Sequence, residues 1–154
     1  MSPEKQRVID LIRAAFKGVV LGNGIGLREA QGLDDYADQA TCQAYRDRDE
    51  KLHWEAIPAE EMNRCYSSLS FFDAEGMRFH LPAFMIADLE GLLGVDPVFH
   101  LSQVPEFDSV RFNLLSPPQR AAVREYLLFV KSDPNYACDV PHIERSLENY
   151  WKIN

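Results

Sequence analysis

Asp73, Glu75, Arg78 and His80 place two carboxylates, a guanidinium and an imidazole within eight residues. An imidazole beside a guanidinium and two acids is sufficient equipment for acid–base chemistry. Met77, Phe79 and Leu81 alternate with Arg78 and His80. That is the period of a strand with one buried face, so Arg78 and His80 are expected to share the other. If that face forms a cleft, the carboxylates of the turn Asp73-Ala74-Glu75-Gly76 can pair with either base. The plainer reading of the same residues is a turn and a strand held by ion pairs and hydrogen bonds.

Three other groups carry chemical interest. Glu50-Lys51-Leu52-His53 sets a carboxylate and an imidazole three apart, with Asp47 and Asp49 next to them. On a helix that spacing brings Asp49, Glu50 and His53 near one another as metal ligands, as in di-iron bundles. Such a site needs a second Glu-x-x-His, and the sequence has none. Gly18-Val19-Val20-Leu21-Gly22-Asn23-Gly24-Ile25-Gly26 imitates a strand entering a phosphate cradle, but counted from Gly22 the sixth position is Leu27 and no Walker lysine follows. It reads as a flexible connection. Cys42 and Cys65 fall on apolar helix stripes, and Cys138 is separated from His142 by Val140 and Pro141, so no thiol–imidazole pair is expected. No cofactor is called for.

The elements that must position these residues are mostly helical. Ser2-Pro3-Glu4 opens a helix with the apolar stripe Val8, Ile9, Ile12, Phe16. Asp34 or Asp35 is expected to cap a helix running to about Arg48, with Tyr36, Ala37, Ala40, Ala44 and Tyr45 inward. Pro58 opens a helix from Ala59 to about Ser68, with Met62, Cys65, Tyr66 and Leu69 inward. Pro82 ends the expected strand and starts a helix through Phe84, Met85, Leu89 and Leu92. Pro97–Val104 and Val110–Leu114 alternate like strands. Ser116-Pro117-Pro118-Gln119 is a capping box with proline at the first helical position, leading to Val123, Tyr126, Leu127 and Val130. Asp139 caps a last helix carrying Ile143, Leu147, Tyr150 and Trp151. The expected fold is mainly α with a small β part (α+β). It is a single compact domain over residues 1–154, with about five to six helices and a few short strands or a small hairpin.

Phe72-Asp73-Ala74-Glu75-Gly76 and Arg78-Phe79-His80-Leu81-Pro82-Ala83-Phe84 resemble the turn and box of a bacterial domain family of unknown function. Leu27-Arg28-Glu29-Ala30, Asp34-Asp35-Tyr36, Asp49-Glu50 with Trp54 and Ile57, and Leu115-Ser116-Pro117-Pro118-Gln119 with Tyr126-Leu127 are similar to it as well. The resemblance runs over roughly residues 5 to 151. It implies membership and no reaction.

Composition narrows the functional classes. With 154 residues, the chain has the length of one domain and needs no disulfide or metal staple. Three widely spaced cysteines suit reduced thiols in a cytosolic setting, so a cytoplasmic protein is expected. No secretory signal and no membrane-length apolar run is visible. The net charge of −8 is uneven: residues 1–28 carry +3, residues 29–61 carry −7 and residues 62–154 carry −4. An acidic surface repels nucleic acid and suits a basic partner protein. Asp34, Asp35, Asp38, Asp47, Asp49 and Glu50, with Trp54 as an exposed aromatic, are the candidate partner-binding residues. The expected function is a small, acidic, non-catalytic protein-binding domain, immunity-like or antitoxin-like in its most concrete form. The alternative is a small enzyme with its site at residues 73–80. The plainer reading of the acidity is a solvated helix face that aids solubility.

Overall fold

The computed structural model describes residues 2–103 and 110–152. Among them the regular structure is helical throughout: α1 (Pro3–Ala15), α2 (Leu27–Asp34), α3 (Gln39–Arg48), α4 (Ala59–Arg64), α5 (Ala74–Leu89), α6 (Pro97–Ser102), α7 (Pro117–Val130) and α8 (Val140–Asn149). Short 3-10 turns lie at Trp54–Ala56, Ser68–Ser70, Val110–Phe112 and Pro134–Asp139. No helix of the described residues is long and apolar enough to cross a membrane.

The expected strands are absent from the described residues, and each absence has a cause. Met77–Leu81 lies inside α5, which starts on Asp73, whose Oδ1 accepts the Gly76 N–H at 2.8 Å. The period-two pattern there is an accident of burial. Twelve of the sixteen residues of α5 are buried, so apolar side chains fall on every side and no stripe remains to be seen. The only β-branched residue in α5 is Ile86, which leaves strand structure without its usual support. Pro82 therefore sits within the helix rather than at its start. Having no N–H, it leaves the carbonyl four residues back without its usual donor. Pro97–Ser102 is helical because Asp96 caps it, accepting the Phe99 N–H at 3.2 Å, with Pro97 at the first position. Val104 lies outside the described residues. Val110–Phe112 forms a 3-10 turn, not a strand.

Of the four openings read from capping residues, two occur as expected. Ser2 accepts the Lys5 N–H at 3.1 Å, and Ser116 and Gln119 form the reciprocal box of α7. At α8, Asp139 holds the capping position but makes no capping hydrogen bond. Asp38, rather than Asp34 or Asp35, caps α3 through the Thr41 N–H at 2.8 Å. Asp34 belongs to the end of α2. Within α3 only Cys42 is buried, so Ala40 and Ala44 face solvent and Tyr36 lies before the helix altogether. α4 stops at Arg64, which leaves Tyr66 64% exposed.

One hydrophobic core joins these helices, and α5 is its axis. It packs against α1, α4 and α6 and against the turns at Trp54–Ala56 and Val110–Phe112. Two indoles anchor helix ends to that core. Trp54 Nε1 donates to the carbonyl of Phe16 at the end of α1 (2.9 Å), and Trp151 Nε1 donates to the carbonyl of Leu101 in α6 (2.8 Å). Trp54 is thus 2% exposed and belongs to the core, not to the partner-facing surface expected of it.

The segment before α2 is docked rather than loose. Asp73 Oδ1 also accepts the Ile25 N–H (3.0 Å), and Glu75 Oε2 accepts the Asn23 N–H (3.2 Å). A Cβ on Gly76 would stand 2.6 Å from the Ile25 carbonyl oxygen, so the two backbones meet only because residue 76 has no side chain. In an open helix a Gly-to-Ala change gains about 1 kcal/mol. Here Gly76→Ala is expected to destabilise the protein by about 1–3 kcal/mol through that collision, read as a lower urea midpoint. An equal or higher midpoint would show that the segment does not pack on α5.

Candidate functional site

The structure separates Arg78 from His80. Both lie on α5, where residues two apart point in different directions. His80 is fully buried, stacked on Phe72 with ring centroids 4.2 Å apart, and its Nδ1 lies 2.7 Å from the Gly76 carbonyl oxygen. That contact assigns the proton to Nδ1 and leaves Nε2 as an acceptor. Arg78 is half-buried, and among the described residues neither its Nε nor His80 Nε2 has a hydrogen-bond partner. Asp73 and Glu75 are occupied by backbone N–H groups of residues 23, 25 and 76. The four residues are near in sequence, but their polar atoms converge on no common reacting point. The arrangement fastens the start of a central helix.

The residues proposed as metal ligands are also spent on backbone. Asp49 is buried, and its two oxygens accept the Arg28 N–H (2.9 Å) and the Glu29 N–H (3.2 Å). Those are the second and third residues of α2, whose own capping position is Gly26. Asp49 is therefore a cap supplied from 23 residues away in sequence. A Cβ at Gly26 would collide with the Asp49 carboxylate, so the glycine makes room for the borrowed cap. Burial pushes the Asp49 carboxyl up, while the two N–H groups and then Arg28 and Lys51 hold it down. Glu50 accepts the N–H groups of Leu52 (3.1 Å) and His53 (3.0 Å), which lower its carboxyl. His53 is exposed and does not share a helix face with Glu50, because the link from α3 to the Trp54 turn is not helical there. Among the described residues no three His, Cys, Asp or Glu side chains group as a metal site. Cys42 and Cys65 are buried, and Cys138 is exposed.

The surface end of α2 is built differently. The helix closes by a Schellman pattern, with the Ala37 N–H on the Gly32 carbonyl (2.9 Å) and the Tyr36 N–H on the Leu33 carbonyl (3.3 Å). That closure requires a left-handed residue just past the helix, and the residue there is Tyr36, at φ 57°. Glycine is the usual occupant because a side chain costs about 1–2 kcal/mol in that conformation. Tyr36 is 95% exposed and Leu33 40% exposed. Asp34 is half-buried, Asp35 and Asp38 are exposed, and Asp47 lies exposed along α3. The inward stripe expected to include Tyr36 does not hold at this position. The available signal was the tyrosine's place two residues beyond a helix-ending Leu33-Asp34, where a turn must follow.

A family described as a family of unknown function (DUF6714) matches residues 4–154. No curated protein and no solved structure matches the chain.

The buried imidazole has a measurable consequence. Burial lowers the His80 pKa from 6.5 to about 4, against smaller upward pulls from the Gly76 carbonyl and Asp73. The unfolded chain then binds the proton first, so stability falls as pH drops from 6.5 toward 4, by up to about 3 kcal/mol. His100, lowered to about 4 by burial and by Arg111, adds to the same limb. Replacing His80 with Gln or Phe is expected to flatten the stability curve between those pH values by about one proton, whatever it does at pH 7. An unchanged slope in both variants would remove His80 from the acid limb.

Proposed function

The chain belongs to this family of unknown function, and from its own residues we propose a non-catalytic protein-binding domain whose partner is a basic protein. The observation that carries the reading is Tyr36. A large side chain stands 95% exposed in a backbone conformation that favours glycine, and no hydrogen bond or ring contact within the described residues holds it there. A strained, solvent-facing aromatic is better suited to contact with another molecule than to folding. Tyrosine is also among the residues that most often anchor protein interfaces, since it offers a large apolar face and a polar tip at little entropy cost.

The surroundings favour a basic partner. Asp34, Asp35 and Asp38 adjoin Tyr36 in sequence, and Leu33 adds exposed apolar surface. A net charge of −8 accelerates encounter with a cationic protein and opposes encounter with a polyanion. A small acidic protein that blocks a basic toxin, as immunity proteins and antitoxins do, is the concrete form of this reading. Tyr36 takes the anchoring place that the sequence had given to Trp54.

The strain makes the test clean. Tyr36→Gly is expected to keep or raise thermal stability, by up to about 1 kcal/mol, because glycine adopts the left-handed turn freely. The same change is expected to weaken capture of the basic partner from native lysate at least about tenfold. Joint replacement of Asp34 and Asp35 by Asn should slow association and reduce its dependence on salt. Retention of full binding by the Tyr36→Gly protein would overturn the reading, as would recovery of no stoichiometric partner in any growth condition.

A further inference from the structure

We propose that the cleft between the start of α2 and the link that follows α3 binds a small organic anion, a carboxylate or phosphate carried on an apolar body. The cleft has a volume of about 440 Å³, within the ~300–1,000 Å³ typical of small-molecule sites. Six charged side chains line it: Arg28, Arg48, Asp49, Glu50, Lys51 and Glu61. Counted by residue type they cancel. What distinguishes them is which polar atoms remain free.

Asp49 and Glu61 have both oxygens engaged, and Glu50 one of its two. Asp49 caps α2, and Glu50 holds the N–H groups of Leu52 and His53. Glu61 places one oxygen 2.9 Å from Arg28 Nη2 and the other 2.6 Å from Arg64 Nη1. Of the cations, Arg28 is matched by Glu61. Lys51 Nζ donates to the backbone carbonyls of Asp47 (3.2 Å) and Asp49 (2.9 Å) and makes no ion pair among the described residues, although the Asp49 carboxylate is near enough to feel its charge. The Arg48 guanidinium makes no hydrogen bond or ion pair among the described residues, and it is exposed at the rim. The cleft as a whole is neutral, and the two cations without an ion pair among the described residues are Arg48 and Lys51.

The two groups suit an oxyanion in complementary ways. Arg48 offers a planar fork that can take two oxygens of a carboxylate or phosphate at once, and Lys51 adds a point charge already held in place by two carbonyls. The rest of the lining sets the other end of the ligand. Leu27 and Ile57 are buried beneath it, Pro58 adjoins them, and Leu52 stands 62% exposed at the edge. Apolar atoms covering that leucine would be removed from water together with it. Inorganic phosphate would satisfy the cations and leave this surface wet. Acids outside the cleft weigh little on the anion, since exposed charges beyond ~8 Å are largely screened at physiological salt.

The test is titration of the full chain with phenyl phosphate and, in parallel, inorganic phosphate, followed by amide NMR shifts. Saturable shifts at Arg28, Leu52 and Ile57 are expected, with phenyl phosphate the tighter of the two. Arg48→Gln is expected to weaken phenyl phosphate at least about tenfold while changing the melting temperature little, because the exposed guanidinium makes no hydrogen bond or ion pair among the described residues. The inference is overturned by absence of saturation up to about 10 mM, by shifts confined to another surface, by undiminished binding to Arg48→Gln, or by equal affinity for the two phosphates. Any of these results leaves the Tyr36 reading standing, since the phosphate titration does not involve that residue.

Discussion

The rest of the structure depends on one helix that is buried along nearly its whole length. α5 has no solvent face on which polar groups could collect, so its first turn must find partners inside the protein. It finds them in two ways. Asp73 closes the turn upon itself at Gly76, and the same carboxylate oxygen reaches out to the Ile25 N–H. The segment of residues 22–26 is thereby tied to the core, and Arg46 clasps its other side through the Gly22 carbonyl (2.7 Å) and the Gly24 carbonyl (3.1 Å). α2 and α3 are placed by this contact. What looked like a phosphate cradle or a slack linker is the joint between the core helix and the surface helices.

That arrangement divides the acidic segment into two populations. Glu29, Asp49, Glu50 and Glu61 each hold a backbone N–H or an arginine within the protein. They neutralise helix starts and loops, which is where carboxylates do most for a fold. Asp34, Asp35, Asp38 and Asp47 lie nearer the solvent, with Asp38 also capping α3. The net charge of residues 29–61 therefore overstates the charge available to a partner. It also hides the cleft, where Arg48 and Lys51 make no ion pair among the described residues although the segment as a whole is acidic.

The sequence was most legible where a local interaction decides the structure. Ser2-Pro3 and Ser116-Pro117-Pro118-Gln119 announce helices because cap and proline act within four residues, whatever lies around them. The same grammar was present in Asp96-Pro97 and in Asp73-x-x-Gly76, and there the alternation of apolar residues outweighed it in the reading. Periodicity reports a boundary between core and solvent. Along α5 there is almost no such boundary, so it carries no information about helix or strand. Phe79, Leu81 and Phe84 were placed in the core correctly because burial needs no knowledge of the element. The site residues were harder for a related reason. Asp49 bonds residues 28 and 29, and Trp54 bonds residue 16, and nothing in the local sequence distinguishes these partners from water.

α2 shows why the exposed end of that system can hold a costly conformation. Eight residues form too short a helix to persist by propensity alone. Its start is fixed by a cap borrowed from Asp49, its flank by Arg28 on Glu61, and its inner face by Leu27 and Ala30 in the core. Gly32 sits against Cys42 and Tyr45 of α3, close enough that an added Cβ would stand 3.2 Å and 3.0 Å from them. With the helix over-determined on every other side, the chain has one way to turn toward α3, and the residue at the turn must take a positive φ whatever its type. The fold thus fixes the backbone conformation at position 36 but gives no reason for a tyrosine there. The fold tolerates that residue at a cost, and the solvent sees it almost whole.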